Sequence, residues 1–156
     1  MRPDTLVAGL GNVLMMDEGV GVHVVRRLAE TLAADAGVEC LDAGTHWPGL
    51  LHAMAGRRKA VFVDCAYMGA EPGTIRRFTP AEVRSRKVLT GTAVHEGDLL
   101  QVIRLSGELG ECPAEVIVFG IEPEQVAPGL ELSPRLAGRL AEYVQAVSAE
   151  AGRRER

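Results

Sequence analysis

Apolar residues run along this chain in two alternating rhythms. Leu6-Val7-Ala8-Gly9-Leu10 is a continuous apolar stretch closed by a glycine turn, which predicts a short buried strand. Val20, Val24, Val25, Leu28 and Leu32 then recur at helical spacing. Asp17 reads as the N-cap of that helix, and Glu18 as a first-turn carboxylate favoured by the helix dipole. Val38 to Leu41 predicts a second strand and Gly49 to Met54 a short helix. Ala60-Val61-Phe62-Val63 has no polar alternation, as expected of a strand covered on both faces. Thr74 to Phe78 follows the turn Glu71-Pro72-Gly73 and predicts an antiparallel or edge strand. Leu99, Leu100, Val102, Ile103 and Leu105 predict a helix starting near Gly97-Asp98, and Val116 to Phe119 another buried strand. Ser133-Pro134 reads as an N-cap followed by proline at the first helical position. Leu136, Leu140, Tyr143, Val144 and Val147 give the last helix its apolar stripe.

About five strands and four helices in alternation predict an α/β fold. The expectation is one domain over residues 1–156, a three-layer sandwich with a mostly parallel five-stranded sheet flanked by helices. Residues 153–156 read as a frayed tail. At this length a full core can form without covalent staples. Aromatic residues are only 4% of the chain, so Val, Leu, Ile and Ala must fill that core.

Charge narrows the function. The formal net charge of −4 argues against nucleic acid as the main partner, because phosphate binding needs a concentrated basic surface. The local basic runs, such as Arg57-Arg58-Lys59, read as solvated surface. No apolar run approaches the ~18 residues that span a bilayer, and the opening MRPDTLVAGL lacks a secretory pattern. Cys40, Cys65 and Cys112 form no CxxC pair and fit a reduced, cytoplasmic setting.

Ligands of open parallel sheets sit beyond the carboxyl ends of the strands. Gly9 to Gly19 follows the first strand, Asp42-Ala43-Gly44-Thr45 the second, and Asp64-Cys65 ends the third. His95-Glu96-Gly97 precedes a helix. Glu18, Asp64 and His95 are therefore a candidate set for a divalent metal of borderline hardness, nickel or zinc. The alternative is a dipole carboxylate, a strand-end cap and a loop histidine. Asp42 is a candidate extra carboxylate for activating water, with an Asx-type turn before Gly44 as its alternative. His23 and His52 read as structural or surface histidines.

Six ordered segments change the balance. Gly9-Leu10-Gly11-Asn12 through Asp17-Glu18-Gly19-Val20-Gly21 is followed by Asp42-Ala43-Gly44-Thr45, Val63-Asp64-Cys65 and Gly69 to Thr74. His95-Glu96-Gly97-Asp98-Leu99-Leu100 and Phe119-Gly120-Ile121-Glu122-Pro123, leading on to Leu132-Ser133-Pro134, complete the series. Together they resemble the hydrogenase maturation endopeptidases over nearly the whole chain. That resemblance implies that Glu18, Asp64 and His95 contact nickel already inserted in the substrate, with no resident organic cofactor. It also implies a monomeric cytoplasmic endopeptidase that cuts a C-terminal extension from the precursor of a [NiFe] hydrogenase large subunit. Ala43 and Cys65 stand where the family often has glycine and alanine, and neither change removes a proposed ligand. His46-Trp47-Pro48 lies in a loop expected to touch substrate.

Four rival readings are weaker. A dinucleotide site needs GxGxxG, but Leu14 occupies the third glycine position and Asp17-Glu18 would repel a pyrophosphate. A peptidyl-tRNA hydrolase shares the Gly-Leu-Gly-Asn opening but not the Val13 to Glu18 segment, nor this acidic charge. A cysteine protease using Cys65 and His95 suffers from Asp64 beside the thiol. A non-catalytic nickel-binding scaffold is separated from the enzyme by whether a nickel-loaded precursor is shortened.

Overall fold

The computed structural model describes residues 2–33, 36–83 and 94–153, apart from the side chains of Trp47 and residues 94–98. The five-stranded sheet has the order β2-β1-β3-β5-β4. Its strands are β1 (Thr5–Leu10), β2 (Val38–Gly44), β3 (Lys59–Cys65), β4 (Ile75–Phe78) and β5 (Glu115–Ile121). β1 pairs in parallel with β2 and β3, β3 in parallel with β5, and β4 runs antiparallel along β5. The three-layer α/β expectation is met, including an antiparallel edge strand.

Helices α1 (Val20–Thr31), α2 (Trp47–Met54), α3 (Val94–Glu108), α4 (Pro134–Gly138) and α5 (Leu140–Gly152) cover the sheet. Successive strand residues point to opposite faces, and two cores result. Leu6, Ala8, Leu10, Phe62 and Val118 pack with Leu50, Met54, Leu99 and Ile103 of α2 and α3. Val7, Val61, Val63, Ile117 and Phe119 pack with Val20, Val24 and Leu28 of α1 and with Tyr143 and Val147 of α5. β1 and β3 are buried along almost their whole length, which is why they read as unbroken apolar runs.

Three expectations are corrected. α3 begins at Val94, before the predicted start near Gly97-Asp98. The last helix is two helices, because Arg139 between them leaves helical geometry at φ −106°, ψ 3°. Asp17 caps nothing: Gly19 is the N-cap of α1, and Asp17 lies in a preceding 3₁₀ turn, Met16–Gly19. Of the expected frayed tail, 154–156 lie outside the described residues. Arg153 is tied down, since its carbonyl accepts a hydrogen bond from the Lys59 ammonium at 3.1 Å.

That ammonium, 0% exposed, sits at the start of β3, away from the strand ends that carry the site. It also donates to the Glu150 carboxylate and the Glu150 carbonyl, both at 2.7 Å. Arg77 of β4 holds the other Glu150 oxygen. Burial pushes the Glu150 carboxyl up, but the hydrogen bonds from Arg77 and Lys59 outweigh it and the net shift is downward. This buried network fixes α5 to the sheet.

Candidate active site

β1 connects to β2 on one side while β3 lies on the other, so the carboxyl ends of β1 and β3 flank the point where the strand order reverses. Two loops leave there. The loop after β1 turns at Gly11, whose φ of +117° suits glycine, and a Cβ there would lie 2.0 Å from the Glu18 carbonyl. At Gly21 a Cβ would fall 2.0 Å from the Val63 carbonyl of β3. Glycine thus lets the first turn of α1 lie directly on the sheet. The consequence is that Glu18, two residues before α1, is held beside the end of β3.

Asp17 fixes this turn from below. It is 0% exposed, and its carboxylate accepts four hydrogen bonds from a distant part of the chain. The Ser133 N–H donates to Oδ1 at 2.7 Å. The Ser133 hydroxyl at 2.7 Å and the N–H groups of Glu124 and Gln125 at 3.0 and 2.9 Å donate to Oδ2. Backbone bonds reinforce the tie, with Met16 donating to Gly129 and Gly129 to Leu14. Met16 itself adopts a left-handed φ of 47°, uncommon for a residue with a side chain.

Asp64 is 4% exposed, and its Oδ1 accepts the Cys65 N–H at 2.8 Å. Phe62, two residues earlier, belongs to the core under α2 and α3, so Asp64 points to that same face. The loop that follows is shaped by Glu122 at the end of β5. Its buried carboxylate accepts the N–H groups of Met68 at 2.7 Å and Ala70 at 3.1 Å. Burial raises the Cys65 thiol well above the usual range, and the carboxylates of Asp64, Glu18, Asp17 and Glu122 raise it further. Four negative groups therefore act on one point at this rim. A thiol so disfavoured as thiolate is a poor nucleophile, which weighs against the cysteine-protease reading.

His95 occupies the first turn of α3, one turn before Leu99, which lines a hollow together with Asp64. The His95 side chain lies outside the described residues.

Asp42 does not join this group. It is register-matched to Gly9 on one side as Val63 is on the other, and Val63 faces α1. Asp42 therefore points to the α1 face, opposite to Asp64, where Arg26 of α1 holds it at 2.7 Å. Strand parity and the ion pair turn this carboxylate away from Asp64, so the structure does not bring the candidate catalytic residue together with the candidate metal ligands. Sequence reasoning assigned no role to Asp17 beyond a cap and none to Glu122. Only the segment Phe119 to Pro123 marked the latter.

A family model described as hydrogenase maturation protease matches residues 22–150. The hydrogenase expression/formation protein HupD of Rhodobacter capsulatus is 33% identical over 136 residues, covering 86% of this chain and 65% of that protein. The chain likewise spans 65% of the HupD of Thiocapsa roseopersicina. The hydrogenase 2 maturation protease of Escherichia coli (strain K12) is 29% identical over 147 residues, 92% of this chain and 88% of that one. Among solved structures, the hydrogenase maturating endopeptidase HybD from E. coli superposes with a TM-score of 0.84 at 30% identity, covering 96% of this chain and 91% of that chain.

Proposed function

The chain belongs to the hydrogenase maturation protease family, and from that premise we propose that it removes a C-terminal extension from the nickel-loaded precursor of a [NiFe] hydrogenase large subunit. The observation that carries this reading is the pair of carboxylates at the switch point. Glu18 comes from the 3₁₀ turn before α1 and Asp64 from the end of β3, and both bear on Cys65. With the imidazole of His95 they make a set of oxygen and nitrogen donors of the hardness that suits nickel. Such a set leaves coordination positions for the precursor's own ligands. The metal belongs to the substrate and would act as a Lewis acid toward the peptide that is cut.

The protein's part is positioning. Asp17 and the glycines hold Glu18 in place before substrate arrives, so little freedom is lost on docking. A precursor without nickel offers no bridging bond to the three ligands, so metal insertion controls cleavage. Action as a monomer in the cytoplasm belongs to the same proposal. Among the described residues, no helix is long and apolar enough to cross a membrane.

The test is incubation with the cognate precursor, nickel-free and nickel-loaded, read by intact mass. Loss of a C-terminal peptide from the loaded form alone is expected. Glu18→Gln, Asp64→Asn and His95→Ala should each slow that loss at least a hundredfold while the fold persists. An unchanged precursor mass in both samples would leave a non-catalytic nickel-binding role.

A further inference from the structure

Tyr67 is 49% exposed, on a stretch of chain just beyond Asp64 that is otherwise held down. Its neighbours Ala66 and Met68 both turn inward, into the core under α2 and α3. The Ala66 N–H donates to the Ile121 carbonyl at 3.0 Å, and the Met68 N–H to the Glu122 carboxylate at 2.7 Å. With both flanking residues anchored, the backbone itself directs the tyrosine outward. The alternation that sends Phe62, Ala66 and Met68 to one core sends Val63 and Cys65 to the other, on the side of α1. Tyr67 continues that second series, so it falls on the side of the turn that carries Glu18. The charges around its hydroxyl agree: burial pushes the phenol up, and Cys65, Glu18 and Glu122 push it further. Asp64 and Tyr67 also border one hollow. The hydroxyl thus stands between the two candidate carboxylate ligands.

Charge at this rim defines what such a hydroxyl can do. The side chains bearing on Cys65 are the carboxylates of Asp64, Glu18, Asp17 and Glu122. Ionised carboxylates accept hydrogen bonds and donate none, whereas a neutral phenol offers one donor. Peptide hydrolysis moves negative charge onto the carbonyl oxygen of the cut bond, and a donor already in place is worth most at that atom. We infer that Tyr67 is a catalytic residue of the proposed cleavage: its hydroxyl donates a hydrogen bond to the carbonyl oxygen of the cut peptide as that oxygen gains charge. The proton stays on the phenol throughout, and no bond to the tyrosine forms or breaks. The inference rests on the endopeptidase reading above. It adds to the candidate metal set a residue that touches the peptide and leaves the metal alone.

The experiment uses the whole chain and its nickel-loaded cognate precursor, with cleavage followed by intact mass. Tyr67→Phe removes the hydroxyl and keeps the ring, and Tyr67→Leu removes both. The side chain is half exposed, so melting temperatures of both variants should lie within about 2 °C of wild type. Tyr67→Phe should lower kcat by about tenfold to a hundredfold with KM within about threefold of wild type. Tyr67→Leu should be no faster than Tyr67→Phe. A residue that only shaped the loop or gripped the precursor by its ring would leave kcat of Tyr67→Phe unchanged. A kcat of Tyr67→Phe within about threefold of wild type, with or without a rise in KM, therefore overturns the role of the hydroxyl and leaves the endopeptidase reading standing. No cleavage by wild type removes that reading, and this inference with it.

Discussion

Replacing Asp17 tests the arrangement of the site most directly. Its carboxylate takes four donors, of which the Ser133 N–H and hydroxyl are fully buried. Truncation in Asp17→Ala leaves all four without their acceptor. Each buried donor so orphaned costs about 1–3 kcal/mol, and the two half-buried N–H groups recover part of theirs from water. We expect a loss of about 4 kcal/mol, or about 8–16 °C in Tm for a chain of this size. Asp17→Asn keeps one acceptor oxygen, which satisfies the crowded Oδ2 position. Its NH₂ must then face the Ser133 N–H, so a loss of about 2 kcal/mol follows. Ser133→Ala removes one of the four bonds and should cost about 1 kcal/mol. The measurement is equilibrium urea unfolding, followed together by far-UV circular dichroism and Trp47 fluorescence so that coincident transitions support a two-state fit. Processing by Asp17→Ala should fall further than its unfolded fraction accounts for, because the turn carrying Glu18 is no longer pinned. A stability of Asp17→Ala within 0.5 kcal/mol of wild type, or a reversed order of the three variants, refutes this account of the turn.

Other outcomes follow from the same structure. Gly21→Ala sets a Cβ 2.0 Å from the Val63 carbonyl, so α1 must lift from the sheet; urea unfolding should show a loss of about 3 kcal/mol or more. The Glu150 carboxyl is held below its ordinary value, so its contribution is complete above the unfolded value of about 4.3 and fades as pH falls through the lower folded one. Glu150→Gln should therefore be less stable at pH 7 by about 3 kcal/mol and lose less than wild type between pH 5 and pH 3 in thermal melts. Cys65→Ala and Asp42→Asn should both retain precursor cleavage within about threefold of wild type, since burial and the neighbouring carboxylates disfavour the Cys65 thiolate and Asp42 faces α1; a loss of a hundredfold in either would place that residue in the chemistry.

The strands were legible because β1 and β3 are covered on both faces, so nothing polar interrupts Leu6 to Leu10 or Ala60 to Val63. Residue chemistry offered Glu18, Asp64 and His95 only as candidates, and the ordered motifs singled them out. The separation of Asp42 from Asp64 was not read because strand-end position says which rim a residue occupies, while parity says which face. Ala43 in one core and Cys40 beside the other carried that parity. The role of Asp17 was not legible: an Asp-Glu pair before an apolar helix fits a cap, and its true partner Ser133 is 116 residues away. The break at Arg139 had only Gly138 as a sign, since the apolar stripe continues on either side.

The distance in sequence between Asp17 and its partners also sets an order of events in folding. Ties that span 107, 108 and 116 residues close loops that encompass most of the chain. Contacts of such range repay their loop-closure entropy only after the intervening elements have been laid down. During synthesis the β1-α1-β2 unit can pair as soon as it emerges and β3 can join β1, while Asp17 waits for Ser133. The turn bearing Glu18 is therefore the last part of the rim to set. A nascent chain acquires its framework early and the geometry of its candidate site only when nearly all of it has been made.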